Sequence, residues 1–505
     1  MKRISRRDFL KTTGATAVAL SFPSILTGKA QAAEYAGINW KPSADEIKKW
    51  RQFEGETVYV LTENTPPSVG IRGAASDFTK LTGMKAEFTL EVMDPLKEKI
   101  FLDLRGGDPK FHVNYSQPRP IGCVICEYWT PINKFVDVKT GKSRMPDLPD
   151  VPDTPKGLHD AFMPLHPEQG CQYYDPELWY GLPYDTAMGM LFYRKDLVDK
   201  YGKKFEDQYA KPMKPDFNTT WDDLYDMADF INKNCDEVDS GLGFHMAQNW
   251  PINQDYTAFL MSWGVKKEGF SKIEHYEAGQ RNPGPYLSDP QDYEKAVEVL
   301  EYMKKLQDVI HPDSKIWDWG GLGTAQATGK IAMQMNCGEF CPYVEDPNES
   351  VIAGKAGYAV APKGPAGIHA YEVGASGLSI PAALPLKEQK KAWLFVLWAT
   401  GPVGQWEAFT KYYGTPVRKT AYEEARKRGW LKEDATFRKA QHLWIQEIQM
   451  VDHLDGFCLG PKIPTYSQYL DIAGGELSKW IAGQTPTPKQ CLDNMISRLN
   501  RLHKV

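Results

Sequence analysis

Eight cysteines are the side chains with the widest chemical repertoire in this chain of 505 residues. Cys123 and Cys126 form a C-x-x-C pair, and Cys337 and Cys341 form a second close pair. Glu127 follows the first pair where covalent haem attachment requires His, and no further closely spaced Cys completes an iron–sulfur pattern. Together the pairs match a four-thiolate zinc site, but in an oxidising compartment eight cysteines more often form disulfides or stay as buried thiols. We therefore expect no metal and no cofactor.

Aromatic side chains are abundant, at 12% of the chain, with 15 Trp and 25 Tyr. Indole rings are rarely buried completely, and their N–H groups usually find a hydrogen-bond partner at a surface or a binding site. A hydrophobic core alone does not require this many Trp, so we expect some of the rings to line a ligand site.

The N-terminal segment has the features of an export signal. It carries six basic residues against one acidic residue, which leaves 54 basic and 64 acidic residues in the rest of the chain. The paired Arg6 and Arg7 precede a weakly apolar run, and residues 30–32 (Ala-Gln-Ala) match a signal-peptidase site. We interpret residues 1–32 as a twin-arginine signal peptide, with cleavage before Ala33 and release of the protein into the periplasm.

Charge and hydropathy exclude two classes of partner. With 54 basic and 64 acidic residues, the exported chain has a net charge of −10, so we expect no nucleic-acid partner. No uncharged apolar run reaches the roughly 18 residues that span a bilayer, so we expect no membrane insertion.

Motifs that mark hydrolytic catalysis are missing from the sequence. Gly-x-Ser-x-Gly and His-Glu-x-x-His do not occur, and the ten His include no pair at metal-ligand spacing. The sequence therefore predicts a protein that is not an enzyme. Two alternatives remain open. One is an exported carbohydrate-active enzyme of glycosidase type, whose cleft also combines aromatic subsites with paired carboxylates; the other is a periplasmic oxidoreductase that carries a cofactor.

The elements that must position any site residues alternate between strands and helices. The first ones predicted are a strand over 56–62, a helix through 74–81, a strand over 85–90 and a helix over 95–104. Pro66, Pro67 and Gly70 are expected to break the chain ahead of the first helix. This β-α-β-α start is typical of a parallel sheet whose ligands bind at the carboxyl ends of the strands, so the sequence predicts an α/β fold.

Later helices are marked by their first residues. Thr220 is a predicted N-cap for a helix that continues through Ile231, and Pro290 is predicted to open another. The segment 387–398 is apolar over a broad face and is expected to pack between layers.

Seven segments, in a fixed order, together resemble one family. They are 57–85 (ending Leu-Thr-Gly-Met-Lys), 106–109 (Gly-Gly-Asp-Pro), 181–197 (starting Gly-Leu-Pro-Tyr-Asp-Thr), 220–224 (Thr-Trp-Asp-Asp-Leu), 329–340 (starting Gly-Lys-Ile-Ala-Met), 374–381 (Gly-Ala-Ser-Gly-Leu-Ser-Ile-Pro) and 414–418 (Gly-Thr-Pro-Val-Arg). On these segments the chain resembles the extracellular solute-binding proteins of ABC transporters, in the sugar-binding group that includes the maltose-binding protein. The resemblance spans roughly residues 56–500. The chain is longer than common members, with apparent insertions near 136–175 and 421–450.

The resemblance implies a periplasmic-binding-protein type II clamshell, in which two α/β lobes are joined by hinge crossings. The implied division is lobe 1 at 33–187 plus 375–412 and lobe 2 at 188–374 plus 413–505. The crossings are expected near 184–190, 372–377 and 412–416. A ligand that touches both lobes then favours the closed form.

The resemblance also implies which residues contact a ligand. A sugar or polyol presents hydroxyls at its edge and C–H groups on its faces, so its site combines planar rings with polar or acidic side chains. The implied contacts of the first lobe and first crossing are Glu63, Asn64, Thr65, Asn114, Tyr115, Tyr184 and Asp185. Those of the second lobe and hinge are Asn249, Trp250, Trp317, Glu339, Phe340, Gly374, Ala375 and Tyr466. Trp319 and Tyr469 are further candidates, and Arg418 is expected to brace a loop.

The function implied is that of a monomeric periplasmic receptor. It would capture a carbohydrate or polyol and deliver it to the permease subunits of an ABC importer, without hydrolysing anything itself. The partners expected are therefore the small-molecule ligand and the permease.

Overall fold

The computed structural model describes residues 38, 40–272, 281–453, 456–458 and 460–505. The predicted signal peptide and the cleavage site before Ala33 lie outside the described residues. The strands are β1 (Thr57–Glu63), β2 (Lys85–Glu91), β3 (Val113–Ser116), β4 (Gly181–Asp185), β5 (Gly189–Arg194), β6 (Ser240–Gly243), β7 (Ile331–Cys337), β8 (Ala356–Ala359), β9 (Tyr371–Glu372), β10 (Ser376–Ser379) and β11 (Phe457–Cys458).

The helices lie mainly on the faces of the two larger sheets that these strands form. In chain order they are α1 (Ala44–Trp50), α2 (Pro66–Thr82), α3 (Met93–Arg105), α4 (Cys123–Ile125), α5 (Leu158–Ala161), α6 (His166–Cys171), α7 (Lys195–Tyr209), α8 (Trp221–Asn234), α9 (Trp250–Ser262), α10 (Pro290–Leu306), α11 (Trp319–Ala327), α12 (Cys341–Val344), α13 (Leu386–Ala399), α14 (Pro402–Lys411), α15 (Lys419–Lys427), α16 (Gln441–Asp452), α17 (Tyr466–Ile481) and α18 (Pro488–His503).

Two mixed sheets organise the chain. The first has the order β2-β1-β3-β10-β4; β1 pairs parallel with β2 and β3, and β10 runs antiparallel between β3 and β4. The second has the order β6-β7-β5-β8, with β5 antiparallel to both of its neighbours. The parallel start and the α/β class predicted from the sequence are confirmed.

Each sheet has its own hydrophobic core. Phe78, Trp393 and Phe395 are buried against the first sheet, so the apolar α13 packs inside a layer as predicted. Phe230 and Leu300, from α8 and α10, are buried in the core of the second sheet. Separate cores fit two bodies that fold as layers around one sheet each.

The chain passes between the sheets at short connections. It leaves the first sheet after Asp185, at the end of β4, and enters the second at Gly189. It returns after β9 through Val373 to Ser376 at the start of β10. These connections lie where crossings were expected, and the residue limits of the two lobes remain predictions.

Helix starts follow local chemistry. In α8, the Thr220 hydroxyl accepts from the Asp223 N–H at 3.1 Å, and the Asp223 carboxylate accepts from the Thr220 N–H at 2.9 Å, a complete capping box. In contrast to the expected break, Pro66 and Pro67 form the first turn of α2. Proline is tolerated there because the first N–H groups of a helix have no intrahelical partner.

Arg418 braces the segment predicted as an insertion at 136–175. Its guanidinium donates to the Pro152 carbonyl at 2.6 Å and to the Thr400 carbonyl at 2.8 Å, and the residue is fully buried. Phe162 forms a β-bridge with Arg418 and lies beneath the guanidinium, 4.7 Å from ring centroid to Cζ. The inserted segment is therefore tied to the chain that follows α14.

Candidate functional site

Three carboxyl groups converge where the two sheets meet. Glu63 ends β1, Asp185 ends β4, and Glu339 lies in the turn Gly338–Phe340 after β7. The charge of Asp185 raises the pKa of Glu63, and the charges of Asp185 and Glu63 raise the pKa of Glu339, so the three lie near one another. We call Glu63, Asp185 and Glu339 the carboxyl cluster. Strand ends position all three, which is where ligands bind in α/β sheets.

Asp185 is held in place by the start of β10. Its Oδ1 accepts from the Ser376 N–H at 3.0 Å, at a register shift between β4 and β10. The residue is only 2% exposed. Burial raises the pKa of the Asp185 carboxyl to about 7, because the charged form loses its hydration.

Glu63 and Glu339 receive fewer hydrogen bonds than Asp185 to stabilise their charged forms. Burial, reinforced by the charges of Asp185 and Asp318, raises the pKa of Glu63 to about 8, although a hydrogen bond with Tyr115 opposes the shift. Glu339 is 5% exposed, and among the described residues no hydrogen bond or ion pair reaches its carboxyl group. Burial first, then repulsion from Asp185 and Glu63, raises the pKa of Glu339 well above its ordinary value.

A hydroxyl network underlies the carboxyl cluster on the side of the first sheet. The Tyr184 and Ser68 hydroxyls lie 2.8 Å apart, and Thr62 joins them at 2.9 Å from Ser68. The Tyr115 hydroxyl accepts from the Ser376 hydroxyl at 2.8 Å. The rings of Tyr115 and Tyr184 pack edge to face, with centroids 6.3 Å apart. Both Tyr are therefore oriented by hydroxyl partners and present a rigid floor.

Two indoles form the aromatic part on the side of the second sheet. Trp250, at the start of α9, packs edge to face with Trp319 at a centroid distance of 5.0 Å. The Trp319 indole N–H donates to Gln254, and the Trp319 carbonyl accepts from the Asn336 side chain at 3.1 Å. Asn249, just before α9, has a φ of 77° and a ψ of −118°, a positive-φ backbone outside the left-handed helical region that residues other than glycine rarely adopt.

Two of the predicted aromatic contacts pack elsewhere. Trp317 stacks on His311 with ring centroids 4.6 Å apart and packs against the small core of Leu322 and Ile331. Phe340 is 2% exposed and lies against α11, where a Cβ added to Gly323 would be 2.8 Å from the ring. The neighbouring Trp319, which the sequence offered only as a further candidate, is the indole that meets Trp250.

The other predicted residues divide between the first sheet and the hinge. The Asn64 N–H donates to the Glu91 carbonyl at 2.8 Å, and Thr65 precedes α2 with its hydroxyl buried and unpartnered in the described structure. The amide oxygen of Asn114 accepts from Trp129 at 3.4 Å. Gly374 donates through its N–H to the Ala187 carbonyl at 2.6 Å, which pairs the outgoing and returning crossings.

Ala375 and the two C-terminal Tyr are buried. Ala375 follows Gly374 in the returning crossing and is fully buried. Tyr466 and Tyr469, at the start of α17, pack with centroids 5.6 Å apart. Tyr466 lies beside Arg119, and the Tyr469 hydroxyl accepts from the Asn253 side chain at 3.2 Å.

Sequence reasoning missed a buried arginine. Arg119 is 1% exposed; it donates to the Gly460 carbonyl at 2.9 Å and to the Gln169 side chain at 3.1 Å. Its charge acts on Glu372, whose pKa burial nevertheless raises to about 8. A signal was available, since Arg119 is a lone basic residue directly after β3, flanked by Pro118 and Pro120.

Gln254, Asp255 and Glu372 were also missed. They help to line a cavity of about 30 Å³ at the start of β5 and the end of β7, together with His245. The His245 Nδ1 and the Asp255 Oδ1 lie 3.4 Å apart. Burial lowers the pKa of His245 to about 4, so its ring is neutral near pH 7, and burial raises the pKa of Asp255 well above its ordinary value.

The described residues contain neither a metal cluster nor a membrane span. No three His, Cys, Asp or Glu side chains in the described ranges are placed to hold a metal ion. All eight cysteines are free and buried. Of the zinc site, disulfides and buried thiols considered for them, the structure contains buried thiols. No described helix combines the length and apolar character needed to cross a bilayer.

Solved structures share this fold at low sequence identity. An ABC transporter solute-binding protein from Agrobacterium radiobacter, in complex with ribitol, has a TM-score of 0.68 and 20% identity over 89% of this chain and 99% of its own. One from Agrobacterium vitis, with bound D-mannitol, has a TM-score of 0.67 with the same identity and coverage. Maltose-bound MalE3 of T. maritima has a TM-score of 0.67 and 17% identity over 89% of this chain and all of its own. The fold is therefore that of type II periplasmic binding proteins, as predicted.

Family comparison agrees with the fold. Residues 3–23 match the twin-arginine translocation signal sequence, which confirms the export signal and with it a periplasmic destination. No curated protein sequence matches the chain. Residues 74–439, well over half of the chain, match the family described as bacterial extracellular solute-binding protein. The chain therefore belongs to the bacterial extracellular solute-binding proteins.

Proposed function

We propose that the protein captures a sugar or polyol between its two lobes and delivers it to the permease of an ABC importer. One observation supports this above all: carboxyl groups and oriented aromatic rings from both sheets meet at the strand ends. Carboxylates accept hydrogen bonds from hydroxyls, and planar rings cover the C–H faces of a sugar. The similar folds that hold ribitol, D-mannitol and maltose support the same class of ligand.

The proposed ligand-contacting residues are those that surround the carboxyl cluster. Glu63 and Asp185, with Tyr115 and Tyr184 beneath them, would contact hydroxyls from the first lobe. Glu339 and Trp250 would contact the ligand from the second. A ligand that bridges these two groups stabilises the closed arrangement by its differential affinity.

The protein acts in this proposal as a monomeric receptor without a cofactor or a catalytic step. A scavenging receptor must bind tightly and still release its solute, which suggests a dissociation constant near 1 μM, or about −8 kcal/mol. Incubation of pure protein with candidate glycosides is expected to yield no product, and turnover would instead favour the carbohydrate-active enzyme.

A thermal-shift screen against sugars and polyols tests the proposal directly. The exported chain, beginning at Ala33, is expected to gain about 2.7 kcal/mol of stability at a ligand concentration of one hundred times the dissociation constant. Calorimetry then gives the affinity and stoichiometry of each hit. Trp250→Ala should weaken binding about tenfold, or ~1.4 kcal/mol, through loss of a ring face. If no sugar or polyol stabilises the protein, the proposed function is wrong.

A further inference from the structure

The carboxyl cluster has no cationic partner. In the described part of the chain, none of Glu63, Asp185 and Glu339 forms an ion pair, although more than thirty acidic–basic contacts occur elsewhere. The buried guanidinium of Arg119 interacts with the charges of Glu372 and Glu268 instead. Among the described residues, the protein therefore supplies no basic side chain to neutralise these three carboxyl groups when they ionise.

The surroundings of Glu339 are a second indication that a ligand binds at the carboxyl cluster. Its side chain is about nineteen-twentieths buried, receives no hydrogen bond from the described residues, and faces Asp185 and Glu63. A carboxyl group that is largely buried and has no protein partner is destabilising. Native proteins rarely retain such a group unless a ligand or a function requires it.

A single small cation does not fit the arrangement. Metal binding needs several ligand atoms around one ion, and no set of three suitable side chains in the described ranges is placed that way. The positive charge must therefore be part of a larger molecule. The rings of Tyr115 and Tyr184 lie next to the carboxyl groups and give this side of the cluster an apolar boundary.

We propose that the solute is a cationic polyhydroxy compound, an amino sugar or amino polyol, whose ammonium group binds among Glu63, Asp185 and Glu339. This rests on the proposed function and narrows its ligand class. An ammonium has three N–H donors, so it can donate to carboxyl oxygens of the cluster and to a neighbouring hydroxyl without all three carboxyl groups surrounding one point. The hydroxyls of the same ligand then bond to the polar groups around the cluster.

Burial of the carboxyl groups is consistent with a cationic ligand. Desolvation holds the pKa of Glu63 at about 8 and that of Asp185 at about 7, so the empty cluster resists full ionisation near neutral pH. A bound ammonium offsets that repulsion, because opposite charges at short range favour the ionised carboxylate. We therefore expect the carboxyl cluster to bind an amine more tightly than a neutral polyol of the same shape.

Matched ligands separate charge from shape. We suggest calorimetry of the exported chain with three sets: hexosamines (glucosamine, galactosamine, mannosamine), the corresponding hexoses and their N-acetyl derivatives, and glucamine beside sorbitol. The amine of at least one set is expected to bind ten times or more tighter than both of its neutral counterparts. Raising the salt concentration should weaken the amine more than the neutral compounds.

Glu339→Gln is the most informative variant, because it removes the charge and keeps the shape. It should reduce the preference for the amine to about threefold or less and change the affinity for the neutral counterpart much less. Glu63→Gln is a second variant with the same expectation, in case the first does not fold. Glu294→Gln, an exposed residue of α10, is the matched control and should leave the preference unchanged.

The outcomes distinguish this inference from the proposed function. If a hexose or sorbitol binds as tightly as its amine, the cationic ligand is wrong while the sugar or polyol receptor is supported. An unchanged preference in folded Glu339→Gln and Glu63→Gln also overturns the inference. If neither the amines nor the neutral compounds bind, the proposed function fails, and the inference fails with it.

Discussion

Glu339 and Glu345 lie in the same short segment of the second lobe, yet their surroundings are opposite. The Glu345 carboxylate receives two hydrogen bonds from Arg438, at 2.7 and 2.8 Å, one from the Tyr358 hydroxyl at 3.0 Å and one from the Gly354 N–H at 2.9 Å. Glu339 is as well buried and receives none from the described residues.

The difference separates a structural carboxylate from one available to a ligand. The partners of Glu345 come from two segments of the chain, residues 354–358 and Arg438, so its charge helps to join them. A buried ion pair contributes little net stability, but removing one of its partners is costly because the other charge is left unpaired. Glu339 joins no segments, so replacing it should affect binding and leave folding intact.

The largest effect expected is on stability, at Glu345. Arg438→Met should lower the free energy of unfolding by about 3 kcal/mol, since it leaves the Glu345 carboxylate buried without its cation. Urea denaturation followed by Trp fluorescence measures this change. In the same assay Glu339→Gln should be within about 1 kcal/mol of the wild type or more stable, because no hydrogen bond is lost. Equal losses in the two variants would contradict the comparison.

The next effect is on affinity, at Asp185. Asp185→Asn should weaken ligand binding about tenfold, or ~1.4 kcal/mol, through loss of the charged acceptor. The amide oxygen of Asn can still accept from the Ser376 N–H, so the thermal midpoint without ligand should stay near that of the wild type. Calorimetry measures the affinity and a melting curve measures the thermal midpoint. Full affinity in the variant would show that Asp185 does not contact the ligand.

The ligand-free protein should lose stability as the pH rises. Folding raises the pKa of Glu63 from 4.5 to about 8 and that of Asp185 from 3.8 to about 7, so the folded state holds these protons more tightly than the unfolded state. Their contribution is complete near pH 4 and is lost as the pH approaches 8. The free energy of unfolding, measured by urea denaturation at several pH values between 5 and 8.5, should fall as the pH rises. Glu63→Gln should make this fall smaller. The same loss of stability with pH in wild type and Glu63→Gln would contradict the raised pKa of Glu63.

The smallest effect is expected at Trp317. Its ring packs on His311 and the small core beside α11, away from Trp250. Trp317→Phe should change affinity by about twofold or less while lowering stability measurably, because packing area is lost. A large loss of affinity would mean that Trp317, and not only Trp319, belongs to the aromatic side of the site.

The fold was predictable because its signals are local. Thr220 and Pro290 identify helix starts from neighbouring residues alone, and the alternation of strands and helices indicates the α/β class. Glu63 could be placed after the first strand for the same reason, whereas the position of Asp185 at a crossing was implied by the family resemblance. Pro66 was misread because a proline that breaks a helix and one that begins it look alike without the flanking hydrogen bonds.

The missed residues depend on contacts between distant segments. Arg119 donates to Gly460, 341 positions away, and no local pattern links the two. Glu372 lies in a two-residue strand paired with β11, too short to be predicted from alternation. The choice between Trp317 and Trp319 depends on which face of the turn meets α9, and sequence spacing does not determine that.

The eight buried thiols have a consequence for the order of events during export. The twin-arginine route carries proteins that are already folded, so the chain folds in the reducing cytoplasm, before it meets periplasmic oxidants. Burial raises the pKa of Cys123 to about 12 and that of Cys126 to about 11, which keeps the reactive thiolate scarce. The protein therefore reaches the periplasm with its cysteines already shielded from oxidants by the folded chain.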